Sequence, residues 1–168
     1  MKNVGLMNSV VNDEIYTPVE ALYPILNYID KNKIIWECCY GNGDLAKHLK
    51  YLGYKVIGKK EDFFSTDYDC DLILTNPPYS NKRKFIERAF ELDKPFAFLV
   101  PLTTLEGRFA MKLFSDKNIQ LIIPNKRIDF IKKGSSSWFL VIWITYGLDL
   151  PKQINYYDMK AKLKEARK

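Results

Sequence analysis

Asp71-Leu72-Ile73-Leu74-Thr75-Asn76-Pro77-Pro78-Tyr79 is the stretch on which the fold turns. Leu72 to Thr75 continues without a polar alternation, the pattern of a strand covered on both faces. The run stops at Pro77-Pro78, because proline offers no amide proton to a sheet ladder and constrains the residue before it. A strand buried on two sides needs helices above and below it, so strands and helices should alternate around it.

They do. Upstream, Ile34-Ile35-Trp36 and Tyr54 to Gly58 read as short strands. Asp44 to Leu52 lies between them as a helix, with Leu45, His48, Leu49 and Leu52 on one face. Downstream, Asn81 to Leu92 carries an apolar helical stripe of Phe85, Ile86, Ala89 and Phe90. Phe96 to Val100 reads as a strand, Leu105 to Phe114 as a helix and Gln120 to Ile123 as a strand. Trp138 to Tyr146 is a long β-branched and aromatic run behind the loop Gly134 to Ser137. The expected architecture is α/β, a mostly parallel sheet with helices on both faces. Its C-terminal edge should be antiparallel, because little helical pattern joins the last two strands.

One domain over 1–150 is expected, followed by a basic tail over 151–168. The tail holds Lys152, Lys160, Lys162, Lys164, Arg167 and Lys168 against Asp158 and Glu165, and reads as a solvated helix or a nucleic-acid arm. A chain of 168 residues with 47% apolar and 14% aromatic content suits one packed core. It has no apolar run long enough to cross a bilayer, and Met1 to Asn12 lacks the features of a secretion signal. Cys38, Cys39 and Cys70 show no CxxC spacing and read as reduced thiols of a cytoplasmic protein. His48 is the only histidine, so no metal site is expected. The formal charge of +6 suggests an acidic partner, nucleic acid being the commonest, although ordinary soluble proteins can also be lysine-rich.

Two segments carry chemistry. Glu37-Cys38-Cys39-Tyr40-Gly41-Asn42-Gly43 joins a strand to a helix; Gly41 and Gly43 allow a sharp turn and close approach of a ligand, and Glu37 can accept hydrogen bonds from it. An ordinary strand-to-helix turn would also need a glycine. Asn76-Pro77-Pro78-Tyr79 sits at the carboxyl end of the buried strand, where open α/β sheets bind ligands. An exocyclic amine on an aromatic ring is a poor nucleophile, because its lone pair is delocalised. The Asn76 amide oxygen and the Pro77 carbonyl can both accept its N–H groups and favour the charge that develops as the nitrogen is alkylated. Pro77 and Pro78 stiffen the corner, and Tyr79 offers a face for stacking a base. A plain Pro-Pro turn with Tyr79 as core filling is the bland alternative.

On these residues the chain resembles the amino-methyltransferases of the S-adenosylmethionine-dependent superfamily, particularly the small DNA N6-adenine methyltransferases of mobile-element type. The resemblance runs from about Tyr16 to Gly147 and implies a Rossmann-like class I methyltransferase fold with S-adenosyl-L-methionine as cofactor. It implies cofactor binding by Tyr16-Thr17-Pro18, by Glu37, Gly41 and Gly43, and by Asp62-Phe63, and catalysis by Asn76 to Tyr79. It also implies substrate contacts from Phe139, clamping a base against Tyr79, and from Lys126 and Arg127, on phosphates. Sheet packing for Phe139 and a solvated face for the two cations are the alternatives. The chain departs from the family where Lys59-Lys60 stands in place of an acid after the second strand, and where Cys39 and Tyr40 bulk out the glycine loop.

The expected function is methylation of adenine N6 in DNA, a nucleic-acid partner with DNA favoured over RNA. With no separate recognition domain, a partner subunit or a homo-oligomer could supply target selection. RNA adenines and glutamine amides present the same kind of nitrogen and remain alternatives. A non-catalytic nucleic-acid-binding protein with a weakened cofactor site is the alternative of another class. A cytosine C5 mechanism needs a cysteine after a proline, and none of the three cysteines follows one.

Overall fold

The computed structural model describes residues 17–130 and 139–160. Within them, seven strands form one sheet: β1 (Ile34–Glu37), β2 (Lys55–Gly58), β3 (Leu72–Thr75), β4 (Phe96–Pro101), β5 (Ile119–Pro124), β6 (Val141–Tyr146) and β7 (Ile154–Tyr157). The helices are α1 (Tyr23–Leu26), α2 (Asp44–Tyr51), α3 (Lys82–Glu91) and α4 (Gly107–Phe114). The strand order is β2-β1-β3-β4-β6-β5-β7.

The side chains of the central strands alternate between two cores, as the pleat dictates. Ile35, Leu72, Leu74, Ala97, Leu99 and Trp143 face one core, closed by Leu22 and Ile25 and by Leu45 and Leu49 of α2. Trp36, Ile73, Phe96, Phe98, Ile142 and Ile144 face the other, closed by Phe85, Ile86 and Ala89 of α3. This explains the unbroken apolar reading of β3: its residues are buried on both sides.

Direction matters most for function. β1 pairs in parallel with β2 and β3, and β3 with β4. The antiparallel element expected near the C-terminal end is β6, inserted between β4 and β5, while β7 pairs in parallel with β5. The ends of β1, β3 and β5 and the start of β6 therefore meet at one sheet edge.

Three local expectations differ from the structure. The stretch read as one helix over 105–114 is a 3-10 turn at Leu102–Leu105 and then α4, separated by extended Glu106, with Gly107 opening α4 at φ 83°. The long run from Trp138 yields a strand only from Val141, and Trp138 lies outside the described residues. Inside the stretch expected to be a tail, Ile154–Tyr157 is a strand on β5; residues 161–168 lie outside the description. Buried Asn155 fixes β7 there by donating Nδ2 to the carbonyls of Leu121 (3.2 Å) and Lys152 (2.7 Å).

The first turn of the described chain is pinned from far away. Trp143, fully buried on β6, donates its Nε1 proton to the Ala21 carbonyl at 2.9 Å. With Leu22 and Ile25 also fully buried, this fixes the segment that begins at Thr17 against the sheet.

Candidate active site

The chain leaves β1 through the glycine turn. The Gly43 amide donates to the Tyr40 carbonyl at 2.6 Å, and Gly43 sits at φ 82° as it opens α2. A side chain there would be strained, since this φ disfavours L residues and a Cβ at Gly43 would come within 2.7 Å of the Tyr40 ring. The bulk of Tyr40 is thus accommodated by packing over Gly43 and beside Gly58.

Glu37 ends β1 completely buried. Its Oε1 accepts from the Cys39 amide (2.9 Å) and from the Thr75 hydroxyl (2.7 Å), tying the end of β1 to the end of β3. Its Oε2 is buried without a hydrogen-bond partner among the described residues. Burial pushes the carboxyl up from 4.5 to about 7, against the opposing effect of those two bonds.

Next to Thr75 comes the corner. Asn76 donates Nδ2 to Thr17 Oγ1 at 3.0 Å, while its Oδ1 is buried and has no such partner. Pro77 is buried and Pro78 half-buried. Lys82, at the start of α3, donates to the Tyr79 carbonyl at 2.9 Å and braces the loop from its far side.

A cavity of about 310 Å³ joins the two segments: its wall includes Tyr40, Gly41 and Asn42 from the glycine turn and Asn76 and Pro78 from the corner. Thr17, Asp62 and Phe63 also line it, as do Lys60 and Glu61. Of the other residues singled out in the sequence, Glu37 and Gly43 shape the turn from behind without lining the cavity. Pro18, Pro77, Tyr79, Lys126, Arg127 and Phe139 stand off its wall, and Tyr16 lies outside the described residues. Leu45 and Phe85 line it although their spacing reads as helix core.

The region after β2 bears on the missing acid. Lys59 turns away, its ammonium 5.1 Å from the Tyr68 ring centroid. Lys60 and Glu61 face the cavity, with Glu61 accepting from the Tyr68 hydroxyl. Glu61 is thus a carboxylate three residues beyond the strand, with one oxygen engaged. Asp62 accepts from the Phe64 amide and the Ser65 hydroxyl, both at 3.1 Å, which sets the turn that presents Phe63. Phe63 stacks on Phe85 with centroids 5.2 Å apart and planes within 2°. The result is a cavity with one aromatic wall and a rim of carboxylates and amides. Among the described residues no cluster of histidine, cysteine or acids could hold a metal ion, and no helix is long and apolar enough to cross a membrane.

Outside the cavity, Tyr79 and Phe139 meet edge to face with centroids 5.5 Å apart. Lys126 and Arg127 are exposed just past β5, at the same sheet edge.

No protein-family model matches the sequence, and no curated protein does. Solved structures match in shape. A "modification subunit of a putative type I restriction enzyme" from Vibrio vulnificus superposes with a TM-score of 0.52 at 14% identity, over 86% of this chain and 46% of that one. A "putative RNA methyltransferase" from Pyrococcus horikoshii gives 0.50 at 15% identity, over 76% and 79%. Identities this low establish the fold alone: a Rossmann-like methyltransferase architecture with a mostly parallel sheet.

Proposed function

We propose that this chain is an S-adenosylmethionine-dependent methyltransferase of exocyclic amines, with adenine N6 in DNA as its substrate. The observation that carries the reading is a cavity walled by both the glycine turn and Asn76, whose Oδ1 is a buried acceptor with no hydrogen-bond partner among the described residues. An unmet buried acceptor costs about 1–3 kcal/mol, and an N–H donor on the substrate relieves that cost. A non-catalytic nucleic-acid-binding protein has no use for such an acceptor.

The residues fit the cofactor. Phe63 and Phe85 offer a flat apolar wall to a ring, and Asn42, Glu61 and Asp62 offer acceptors to hydroxyl and amino groups. These residues, with Gly41, would hold it. When bound, S-adenosylmethionine supplies an electrophilic methyl group on a sulfonium. The protein's own work lies at the corner. Asn76 Oδ1 and the Pro77 carbonyl accept the two N–H bonds of the amine and draw its lone pair out of conjugation. The same oxygens stabilise the positive charge that grows on nitrogen, and the rigid prolines keep their reorganisation small.

Tyr79 and Phe139 hold the base in this reading. A base stacked between two rings needs about 7 Å between them, twice a van der Waals spacing of ~3.5 Å, so the edge-to-face pair must part to admit it. Only an extruded or single-stranded base can enter. Lys82, Arg83 and Lys84 occupy the first turn of α3, beside Tyr79, with no acid among them. Cations at a helix N-terminus are unfavourable by about 0.3–1 kcal/mol each, and a phosphate lying there reverses the sign. With Lys126 and Arg127 they give the catalytic edge the charge that a nucleic-acid backbone requires. Target selection would come from these loops, a partner subunit or a second copy.

The test is incubation with methyl-labelled cofactor and, separately, duplex DNA, single-stranded DNA, RNA and protein, followed by mass spectrometry of the products. N6-methyladenine in DNA is the expected product. Label confined to RNA or to glutamine overturns the substrate, and no transfer to any of them overturns the enzyme.

Lys60 gives a further prediction. A cation on the wall repels a sulfonium and cannot accept from hydroxyls. Lys60→Asp is therefore expected to tighten S-adenosylmethionine binding by about three- to tenfold, the order of one hydrogen bond. Calorimetry showing unchanged or weaker binding would mean that Glu61 already meets the need.

A further inference from the structure

We infer that Thr17 is the positioning residue of Asn76, locking the plane of its side-chain amide rather than serving mainly to bind the cofactor. The inference rests on the amine-methyltransferase reading and adds to it a residue 59 positions away in sequence.

An asparagine amide turns about a broad, nearly two-fold torsion, so sterics alone seldom choose between its two faces. Only one orientation serves an amine. Presented with Nδ2 foremost, Asn76 would set a donor against the donors of the substrate; presented with Oδ1, it accepts one of them. In the structure Nδ2 is spent on Thr17 Oγ1 at 3.0 Å and Oδ1 is the atom left over. A threonine hydroxyl can also donate, but an N–H substrate at the other end satisfies the whole chain of bonds in this orientation alone. Thr17 is itself only 6% exposed, so the bond is shielded from competing water.

The lock has a rigid mount. Thr17 and Pro18 lead directly into the turn Val19–Ala21, whose Ala21 carbonyl is held by the Trp143 indole. On the other side Asn76 follows Thr75, whose hydroxyl is held by Glu37. The amide is thus clamped between two anchored segments, and the N-terminal turn completes the catalytic corner.

Thr17→Val is nearly isosteric and removes only the hydroxyl. It is expected to lower kcat about 10–100-fold, the scale of a small misplacement of a reacting group, with S-adenosylmethionine Kd unchanged within about twofold. Thr17→Ser keeps the hydroxyl and is expected to restore kcat to within about threefold. Hydrogen exchange of the Asn76 side-chain amide, followed by NMR without cofactor or substrate, should be slow in the wild type and in Thr17→Ser and fast in Thr17→Val. Weakened cofactor binding with unchanged kcat, or exchange indifferent to Thr17→Val, overturns the inference. If the wild type transfers no methyl group at all, the amine-methyltransferase reading fails, and the exchange measurement still decides whether Thr17 holds Asn76.

Discussion

Asn76→Ala is expected to lower single-turnover methyl transfer by at least about 10²–10³-fold, the loss typical of deleting one preorganised group at a developing charge. Only the Pro77 carbonyl would remain to accept from the amine. Cofactor affinity should stay within about twofold, because the side chain's role is exercised on the substrate. Stability gives a second and less intuitive signature. The substitution removes one 3.0 Å hydrogen bond to Thr17, but it also removes a buried oxygen that has no partner. The first is worth about 1 kcal/mol, and the cost of about 1–3 kcal/mol for leaving buried Thr17 Oγ1 without that donor offsets the similar gain from removing the unmet oxygen, so the inactive protein should melt close to the wild type. Near-normal turnover in this variant would remove Asn76 from the mechanism. A large fall in melting temperature would show that Asn76 holds the fold together instead.

The parts of this molecule that sequence reveals are those where one residue type can satisfy only one environment. β3 is legible because burial on both faces leaves no polar alternation, and because Pro77-Pro78 cannot continue a ladder. The glycine turn is legible because Gly43 must adopt a positive φ under the Tyr40 ring. β7 hides for the opposite reason: Asn155 is its buried residue while Ile154 and Tyr156 are exposed, so its pattern is inverted amid basic neighbours. Leu45 and Phe85 hide as well, since a residue lining a cavity keeps the same helical spacing as one packed in the core. Glu37 is half legible. Its position at the strand end marks the site, but its bonds to Cys39 and Thr75 make it a strut behind the wall, which no spacing reveals. Nor does any local pattern show that Thr17 reaches Asn76.

Glu37 gives the clearest pH signature. Its carboxyl is raised from 4.5 to about 7 chiefly by burial, so between those values the folded protein keeps a proton that the unfolded chain has lost. Stability from this group is full below 4.5, falls as pH rises toward about 7, and stays reduced above it, by about 3 kcal/mol for a difference of that size. Glu37→Gln retains an acceptor for Cys39 and Thr75 and cannot ionise, so it should raise the melting temperature at pH 8 and leave it nearly unchanged at pH 4.5. Binding should respond with the opposite sign. The cavity begins at Cys38 and Cys39, directly beyond Glu37, and a cationic ligand there favours the ionised carboxylate. Affinity for S-adenosylmethionine should therefore rise with pH through about 7, by up to about tenfold per pH unit below it, with one proton released on binding. Glu37→Gln should flatten that profile and weaken binding at pH 8 even as it stabilises the free protein. Calorimetry in buffers of different ionisation enthalpy counts the proton directly. A flat wild-type profile between pH 5.5 and 8, with no proton released, would mean that the carboxylate does not sense the charge in the cavity and serves the fold alone.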